Sequence, residues 1–383
     1  MRVITRLNVG GPALHTLLLT REMAEYRTVL VSGSCEADDE DMSYALGPAD
    51  AVRSIPELSR SVRPWRNVQA LWRLWRLLRR ERPAIVHTHT AMAGCIGRLA
   101  ALLHGGLIIV HTFHGNSLNE YFSPVRAGIF RRIEQLLARF TDTLCVVSPQ
   151  QAMELSEKFH IAPPHKFRVV PLGLDLDDYL ALPPPDGGGP LTVGWFGRMV
   201  AVKNIALLAA VIDKALQLRP DIRFVIAGGG PDRPALNAVL ARHGTRVEWL
   251  GWQREMLPVM ARCDAVLQTS RNEGTPVALI QGMAAARPFV STAVGGVVDM
   301  VTGSAERWGA GARWYANGVL AEPDSAALAG ALAALAENRT LAARMGLAGR
   351  DLAAQRYRKE RLVEDVGALY RKLLQKKAVG RNS

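Results

Sequence analysis

The sequence predicts an α/β protein of two doubly wound domains, and three observations predict it. Its 383 residues exceed the ~250 to 300 at which a single hydrophobic core stops growing. Short apolar, β-branched runs alternate with segments of helical period along the whole length, which is the pattern of βαβ units feeding a parallel sheet. Near the middle, Leu180 to Pro190 (LALPPPDGGGP) breaks the alternation: prolines stiffen it, glycines loosen it, and no hydrophobic periodicity survives.

The first series of strands is expected near Val3 to Leu7, Thr28 to Val31, Ala84 to His87, Leu107 to His111 and Thr143 to Val147, with helices between most of them. Two of those helices are basic and amphipathic: Pro64 to Arg82 (PWRNVQALWRLWRLLRRER) and Pro124 to Phe140. The second series is expected at Leu191 to Phe196, Ile222 to Ala227, Val247 to Leu250, Ala265 to Gln268, Phe289 to Thr292 and Gly318 to Ala321. From Ser325 onward Ala, Leu, Arg and Glu recur at helical spacing, and Arg358 to Lys377 reads as a charged helix with a basic tail. The expected organisation is therefore a Rossmann-like domain over 1–180, a linker over 181–190, a second Rossmann-like domain over 191–357, and a terminal helix over 358–383 that packs back toward the first domain. Two such domains facing each other leave a cleft.

Hydrophobic residues make up 49% and charged residues 21% of the chain, an ordinary globular balance, and no run reaches the ~18 apolar residues of a membrane span. The start, MRVITRLNVGG, enters a strand-like segment without a secretion-type pattern, so a cytoplasmic location is expected. Cys35, Cys95, Cys145 and Cys263 lack CxxC spacing and suggest neither disulfides nor zinc. A net charge of +12 favours anionic partners: nucleotide phosphates, lipid headgroups or nucleic acid. The last is disfavoured because the basic residues sit on amphipathic helices with no base-reading motif.

The most informative segment is Val193 to Asn204 (VGWFGRMVAVKN), where a strand runs into Gly197-Arg198 and Lys203 follows five residues after the arginine. A strand-to-helix turn flanked by two cations is a natural seat for a diphosphate, since ligands of open α/β sheets bind outside the carboxyl ends of strands. Alone, the same pattern also describes two surface charges. A second segment, Ser270 to Gln281 (SRNEGTPVALIQ), follows the strand Ala265 to Gln268 and places Glu273 before Gly274, Thr275 and Pro276. Proline suits a first helical position, leaving the amides of the turn to face an anion or sugar hydroxyls. Glu273 then either accepts hydrogen bonds from a sugar or simply caps the helix.

Together, the strand-Gly-Arg-x4-Lys segment, the Glu-Gly-x-Pro helix start and Val294-Gly295-Gly296 resemble family 4 retaining glycosyltransferases of the GT-B fold, over nearly the whole chain. The resemblance implies that Arg198 and Lys203 grip the diphosphate of a nucleotide-sugar donor and that Glu273 lies near the donor sugar. The family's second acid, which takes the ribose hydroxyls, is replaced by Gln281, which keeps a carbonyl acceptor and loses the charge. Ala286 stands where the family usually has glycine.

Other loops fit the same resemblance. Gly10 and Gly11, after the first strand, permit close backbone approach at a sheet edge, although a lone Gly-Gly turn is weak evidence. His87-Thr88-His89 and His111-Thr112-Phe113-His114-Gly115 end successive strands. With no Cys, Asp or Glu at ligand spacing, hydrogen-bonded core histidines are expected rather than a metal. Within the family pattern His114 is the residue that touches the donor sugar, with His111 and His89 as second choices. Ala227-Gly228-Gly229-Gly230 and the loop holding Trp252 and Arg254 resemble the nucleobase surroundings.

The expected function is transfer of a sugar from a nucleotide diphosphate, most simply UDP, to a glycan or lipid-linked acceptor in cell-envelope or polysaccharide synthesis, with no metal or other cofactor. The Trp- and Arg-rich helix at Pro64 to Arg82 suggests contact with an anionic membrane surface, against the plainer reading of a packed helix with a solvated basic face. A sugar-nucleotide 2-epimerase and a non-catalytic sugar-nucleotide-binding protein are the rival expectations. There is no GxGxxG after a strand and no GxxxxGK[ST], which removes the usual support for dinucleotide oxidoreduction and P-loop hydrolysis.

Overall fold

The computed structural model describes residues 1–35, 41–47, 51–59, 63–115, 124–307 and 311–379. The chain forms two compact units, the first from Met1–Leu174 with Lys359–Ser383 and the second from Asp175–Arg358.

Unit 1 runs β1 (Arg2–Ile4), α1 (Gly11–Glu22), β2 (Leu30–Ser32), β3 (Val52–Ser54), α2 (Pro64–Glu81), β4 (Ile85–His89), α3 (Ala91–His104), β5 (Ile108–Phe113), α4 (Pro124–Arg139), β6 (Thr143–Val146), α5 (Pro149–Met153) and β7 (Phe167–Val169). Its sheet has the order β3-β2-β1-β4-β5-β6-β7, with every pairing parallel. The five positions of β4 are buried on both faces, as a strand covered by helices on either side requires. Helix α2 buries Ala70, Leu74 and Leu78, one per turn, and leaves Trp65 and Trp72 outside at 74% and 54% exposure. Arg98 on α3 and Glu134 on α4 form a fully buried ion pair at 2.6 Å.

Unit 2 runs α6 (Asp177–Ala181), β8 (Thr192–Phe196), α7 (Ile205–Leu218), β9 (Arg223–Ala227), α8 (Asn237–His243), β10 (Val247–Gly251), α9 (Leu257–Ala261), β11 (Ala265–Gln268), α10 (Val277–Ala284), β12 (Phe289–Thr292), β13 (Glu306–Arg307), β14 (Ala312–Trp314), β15 (Gly318–Ala321), α11 (Ser325–Glu337) and α12 (Arg339–Arg356). Its sheet order is β10-β9-β8-β11-β12-β15-β14-β13. The first six strands pair in parallel, and β14 and β13 add an antiparallel edge. Its core gathers Trp195, Phe224 and Leu267 from one face of the sheet with Ile212 of α7 and Leu328 and Leu332 of α11.

The last helix, α13 (Lys359–Val379), belongs to unit 1. There Leu362, Val366, Leu369 and Tyr370 pack with Leu19, Met23, Ile85, Ile108 and Val110. The Pro-Gly segment read as a linker lies inside unit 2, because Arg287 donates to the Pro183 carbonyl at 2.7 Å and Arg350 to that of Leu182.

Candidate functional site

In unit 2 the first strand, β8, lies between β9 and β11, so successive crossovers leave it in opposite directions and a crevice opens at its carboxyl end. The loop leaving β8 carries Gly197, Arg198 and Lys203, and it is locked on both sides. Toward β9, Gly197 N donates to Ala227 O at 3.1 Å and Met199 N to Gly229 O at 2.7 Å. Gly228 and Gly230 have φ of 136° and 146° and face the carbonyls of Gly197 and Met199, where a Cβ would collide; only glycine lets these two loops lie backbone to backbone. Toward β11, Arg271 N donates to Val202 O at 2.8 Å and the Thr269 hydroxyl to Lys203 O at 3.0 Å.

This frame brings Lys203 and Glu273 together. The Lys203 Nζ to Glu273 Oε1 distance is 2.5 Å, with the side chains 19% and 12% exposed. Gln268 Nε2 donates to the same oxygen at 2.7 Å and Ser270 Oγ at 2.6 Å. Three donors on one oxygen fix the orientation of the carboxylate. Arg198 is half-buried in the same loop. Gln268 and Ser270 were not singled out in the sequence. Their two-residue spacing at the end of β11, which puts both on one side of a strand, was the available signal.

Behind Glu273 stands the Val294-Gly295-Gly296 turn. Gly296 N donates to Glu273 O at 3.0 Å, and Gly295, at φ 48°, faces the same carbonyl too closely for any side chain. Gly274 and Thr275 are buried. Pro276 is the N-cap of α10, one residue ahead of the first-turn position expected for it, and its ψ of 121° is the extended backbone that precedes a helix. Gln281 sits half-buried on α10. Ala286, in place of the family's usual glycine, has φ 57° and is fully buried.

On the β9 and β10 side, Gly229 has open space around its Cα and Trp252 is 37% exposed. Trp249, at the start of the Trp249-Leu250-Gly251-Trp252 stretch that resembles the nucleobase surroundings, donates from Nε1 to Gly228 O at 2.9 Å, and the Arg233 guanidinium lies 4.1 Å from its ring centre.

In unit 1 the order changes direction at β1, between β2 and β4. Gly10 caps α1 and Gly11 begins it. The histidines divide into two kinds. His87 is anchored at both nitrogens, Nδ1 to the Tyr370 hydroxyl at 2.6 Å and Nε2 to that of Thr112 at 2.7 Å, and His111 Nδ1 meets the Thr88 hydroxyl at 2.8 Å. These are hydrogen-bonded core residues. His89 and His114 instead bond each other, Nδ1 to Nε2, at 3.0 Å. His15, one turn into α1, joins them with ring centres 5.6 and 4.9 Å away. Burial holds His114 down to about 3 and the other four well below the usual imidazole range, with neighbouring cations and imidazoles adding to the effect. Among the described residues, His15, His89 and His114 bring their ligand atoms within 4.8 Å of one another.

The chain matches the Glycosyltransferase Family 4 profile over residues 9–178 and the profile of glycosyl transferases group 1 over residues 190–338. It is 26% identical to the UDP-Gal:alpha-D-GlcNAc-diphosphoundecaprenol alpha-1,3-galactosyltransferase of Escherichia coli, over 64% of this chain and 68% of that one. It is 26% identical to the alpha-maltose-1-phosphate synthase of Mycolicibacterium smegmatis, over 95% and 96%. Among solved structures it superposes on sucrose-phosphate synthase from Thermosynechococcus elongatus with a TM-score of 0.77 at 19% identity, covering 98% of this chain and 99% of that chain. Anabaena HepE in complex with UDP and glucose gives 0.74 at 18% identity, over 96% and 98%. These likenesses establish the GT-B fold.

Proposed function

The chain belongs to glycosyltransferase family 4, with the group 1 glycosyltransferase pattern in its second unit, and on that footing we propose that it transfers a sugar from a UDP-linked donor to a hydroxyl of a glycan or lipid-linked acceptor, with retention at the anomeric carbon, in building a cell-envelope or other polysaccharide. The relatives favour this donor and acceptor: the Escherichia coli enzyme is named for UDP-galactose and a diphosphoundecaprenol-linked sugar, and HepE was solved with UDP. The observation that carries the reading is the bond between Lys203 and Glu273 at the carboxyl ends of adjacent strands β8 and β11, which is where the crevice of an open sheet receives its ligand.

In this reading Arg198 and Lys203 stabilise the charge that develops on the leaving diphosphate, and transfer needs no metal ion. An ammonium carries three donors. The one held by Glu273 orients Lys203, and the others reach phosphate oxygens. Glu273 turns its carboxylate to donor-sugar hydroxyls, with the amides around Gly274, Thr275 and Pro276 lining that place. Gly197 and Gly229 permit close approach of the diphosphate, Trp252 lies against the base, and Gln281 accepts from the ribose. In unit 1, Gly10 and Gly11 and the donor-sugar contact of His114 follow from the family pattern. Replacing Arg198 by Ala is expected to lower kcat about 10²- to 10³-fold, the cost of one lost transition-state donor, with the melting temperature nearly unchanged. Turnover at the wild-type rate would overturn the diphosphate role.

The enzyme is proposed to work at the inner face of the cytoplasmic membrane. The exposed Trp65 and Trp72 on α2, with Arg76 stacked 4.7 Å from the Trp72 ring, support it. So does a neighbouring groove of about 730 Å³ lined by Trp75, Arg79, Arg82, Leu374 and Lys377.

A further inference from the structure

We propose that His15, His89 and His114 form a binding site in unit 1 for a divalent transition-metal ion of the zinc class. The three rings come from three separate elements: α1, the end of β4 and the residue after β5. Their ligand atoms lie within 4.8 Å of one another. Tetrahedral zinc with nitrogen ligands at about 2.0 to 2.1 Å places those nitrogens about 3.3 Å apart. The His89 Nδ1 and His114 Nε2 separation of 3.0 Å is already close to that.

His15 supplies the second, independent sign. It is 1% exposed, and neither Nδ1 nor Nε2 has a hydrogen-bond partner. A buried imidazole that bonds nothing costs folding free energy, whereas His87 and His111, on the same two strands, are each tied to a hydroxyl. The unsatisfied ring is the one aimed at the His89–His114 pair.

The chemistry balances without loss of a proton. In the free protein one of His89 and His114 donates a hydrogen to the other. On metal binding that ring moves its proton to the far nitrogen, so that both facing nitrogens present lone pairs, and the ion takes the place of the shared hydrogen. His15 supplies the third donor, and the fourth position stays open to water, as in three-histidine zinc sites. The rings already stand in the neutral form that coordination needs, held there by burial. Behind them His87 stacks 4.3 Å from His89, itself fixed by Tyr370 and Thr112, so the orientation of the His89 ring is set from outside the site. Three neutral ligands leave the ion its full charge, which gives a weaker site than thiolate sets provide.

Occupation would withdraw His114 from the donor-sugar role proposed above, making the metal an inhibitor of transfer and not a requirement. The test is independent of that role. The full-length chain, stripped with chelator and free of nucleotide, is titrated calorimetrically with Zn²⁺, and Co²⁺ is added separately to read the visible absorption of tetrahedral nitrogen coordination. One equivalent bound with that absorption, and at least tenfold weaker binding in each of His15→Gln and His89→Gln, is the expected result. Absence of a stoichiometric site, or binding unchanged in both variants, overturns the proposal. If a variant fails to fold, imidazole ¹⁵N shifts of the wild-type protein decide: a zinc-induced change confined to these three rings supports the site, and a change elsewhere sinks it. UDP affinity, read at unit 2, is expected to be the same with and without zinc, so the two readings fail separately.

Discussion

Ala286 shows how one residue carries two kinds of information. Its sequence context marks a departure from the family's usual glycine, and its φ of 57° gives the reason glycine is favoured there. A left-handed conformation costs a residue with a Cβ about 1 kcal/mol, and glycine offsets part of that through its freer unfolded chain. Ala286→Gly is therefore expected to raise the free energy of unfolding, read by denaturant titration, by up to about 1 kcal/mol; a decrease would show that the surrounding packing, not the backbone, sets the balance. The histidines make a second residue-scale prediction. Five imidazoles have folded-state affinities for protons below the usual value near 6.5, with His114 at about 3. Below the usual value the unfolded chain binds more protons than the folded one, so stability is complete above pH 6.5 and falls as pH drops below it toward the lowered folded-state values. Urea unfolding from pH 7.5 to 5 is expected to show this slope, and it should be shallower in His87→Gln; an equal slope would place the titrating groups elsewhere. Of the residues that the motif resemblance singles out, Lys203 and Glu273 are brought together by the structure, because both sit at fixed offsets from the ends of adjacent strands. His15 could not be named from the sequence, since nothing in a helix-forming Ala-Leu-His-Thr run states which turn meets two strands 74 and 99 residues later.

At the scale of elements, strands with continuous apolar runs, such as Ala265–Gln268 and Phe289–Thr292, were found at their true bounds. The strands that sequence reading missed are short edge pieces: β3 (Val52-Arg53-Ser54) and β7 (Phe167-Arg168-Val169) are partly exposed, and β13 and β14 join antiparallel at the sheet margin. Edge strands need only one buried face, so their composition says little. Helix α2 was legible by period, and its exposed tryptophans are now placed on the face that Ala70, Leu74 and Leu78 leave outside. Replacing Trp65 and Trp72 together by Ala is expected to reduce sedimentation with anionic vesicles severalfold while leaving helix content unchanged. Equal recovery of wild type and variant with the vesicles would assign those faces to something other than lipid. The Arg98–Glu134 pair was invisible in sequence, because its partners stand 36 residues apart on separate helices and nothing in either helix's pattern says that the two charges meet.

The whole molecule divides where a tally of residues alone would not divide it. Unit 1 closes with residues from the far end of the chain, and unit 2 is a continuous insertion between Leu174 and Lys359. Scanning calorimetry is expected to resolve two transitions, with UDP raising the one that belongs to unit 2, since a ligand stabilises the body that binds it. A shift of the other transition alone would move the nucleotide site to unit 1. The hydroxyl of Tyr370 that holds His87 lies 283 residues downstream of it. A ribosome adding 5 to 20 residues per second needs about 10 to 40 s to travel from the end of the first stretch of unit 1 to that tyrosine. During that interval the whole of unit 2 is made and is complete at Arg358, before Tyr370 emerges, while the sheet begun first waits with Ile85, Ile108 and Val110 uncovered. The order of completion during synthesis is thus the reverse of the order of the sequence, and the early half is the natural client of a chaperone.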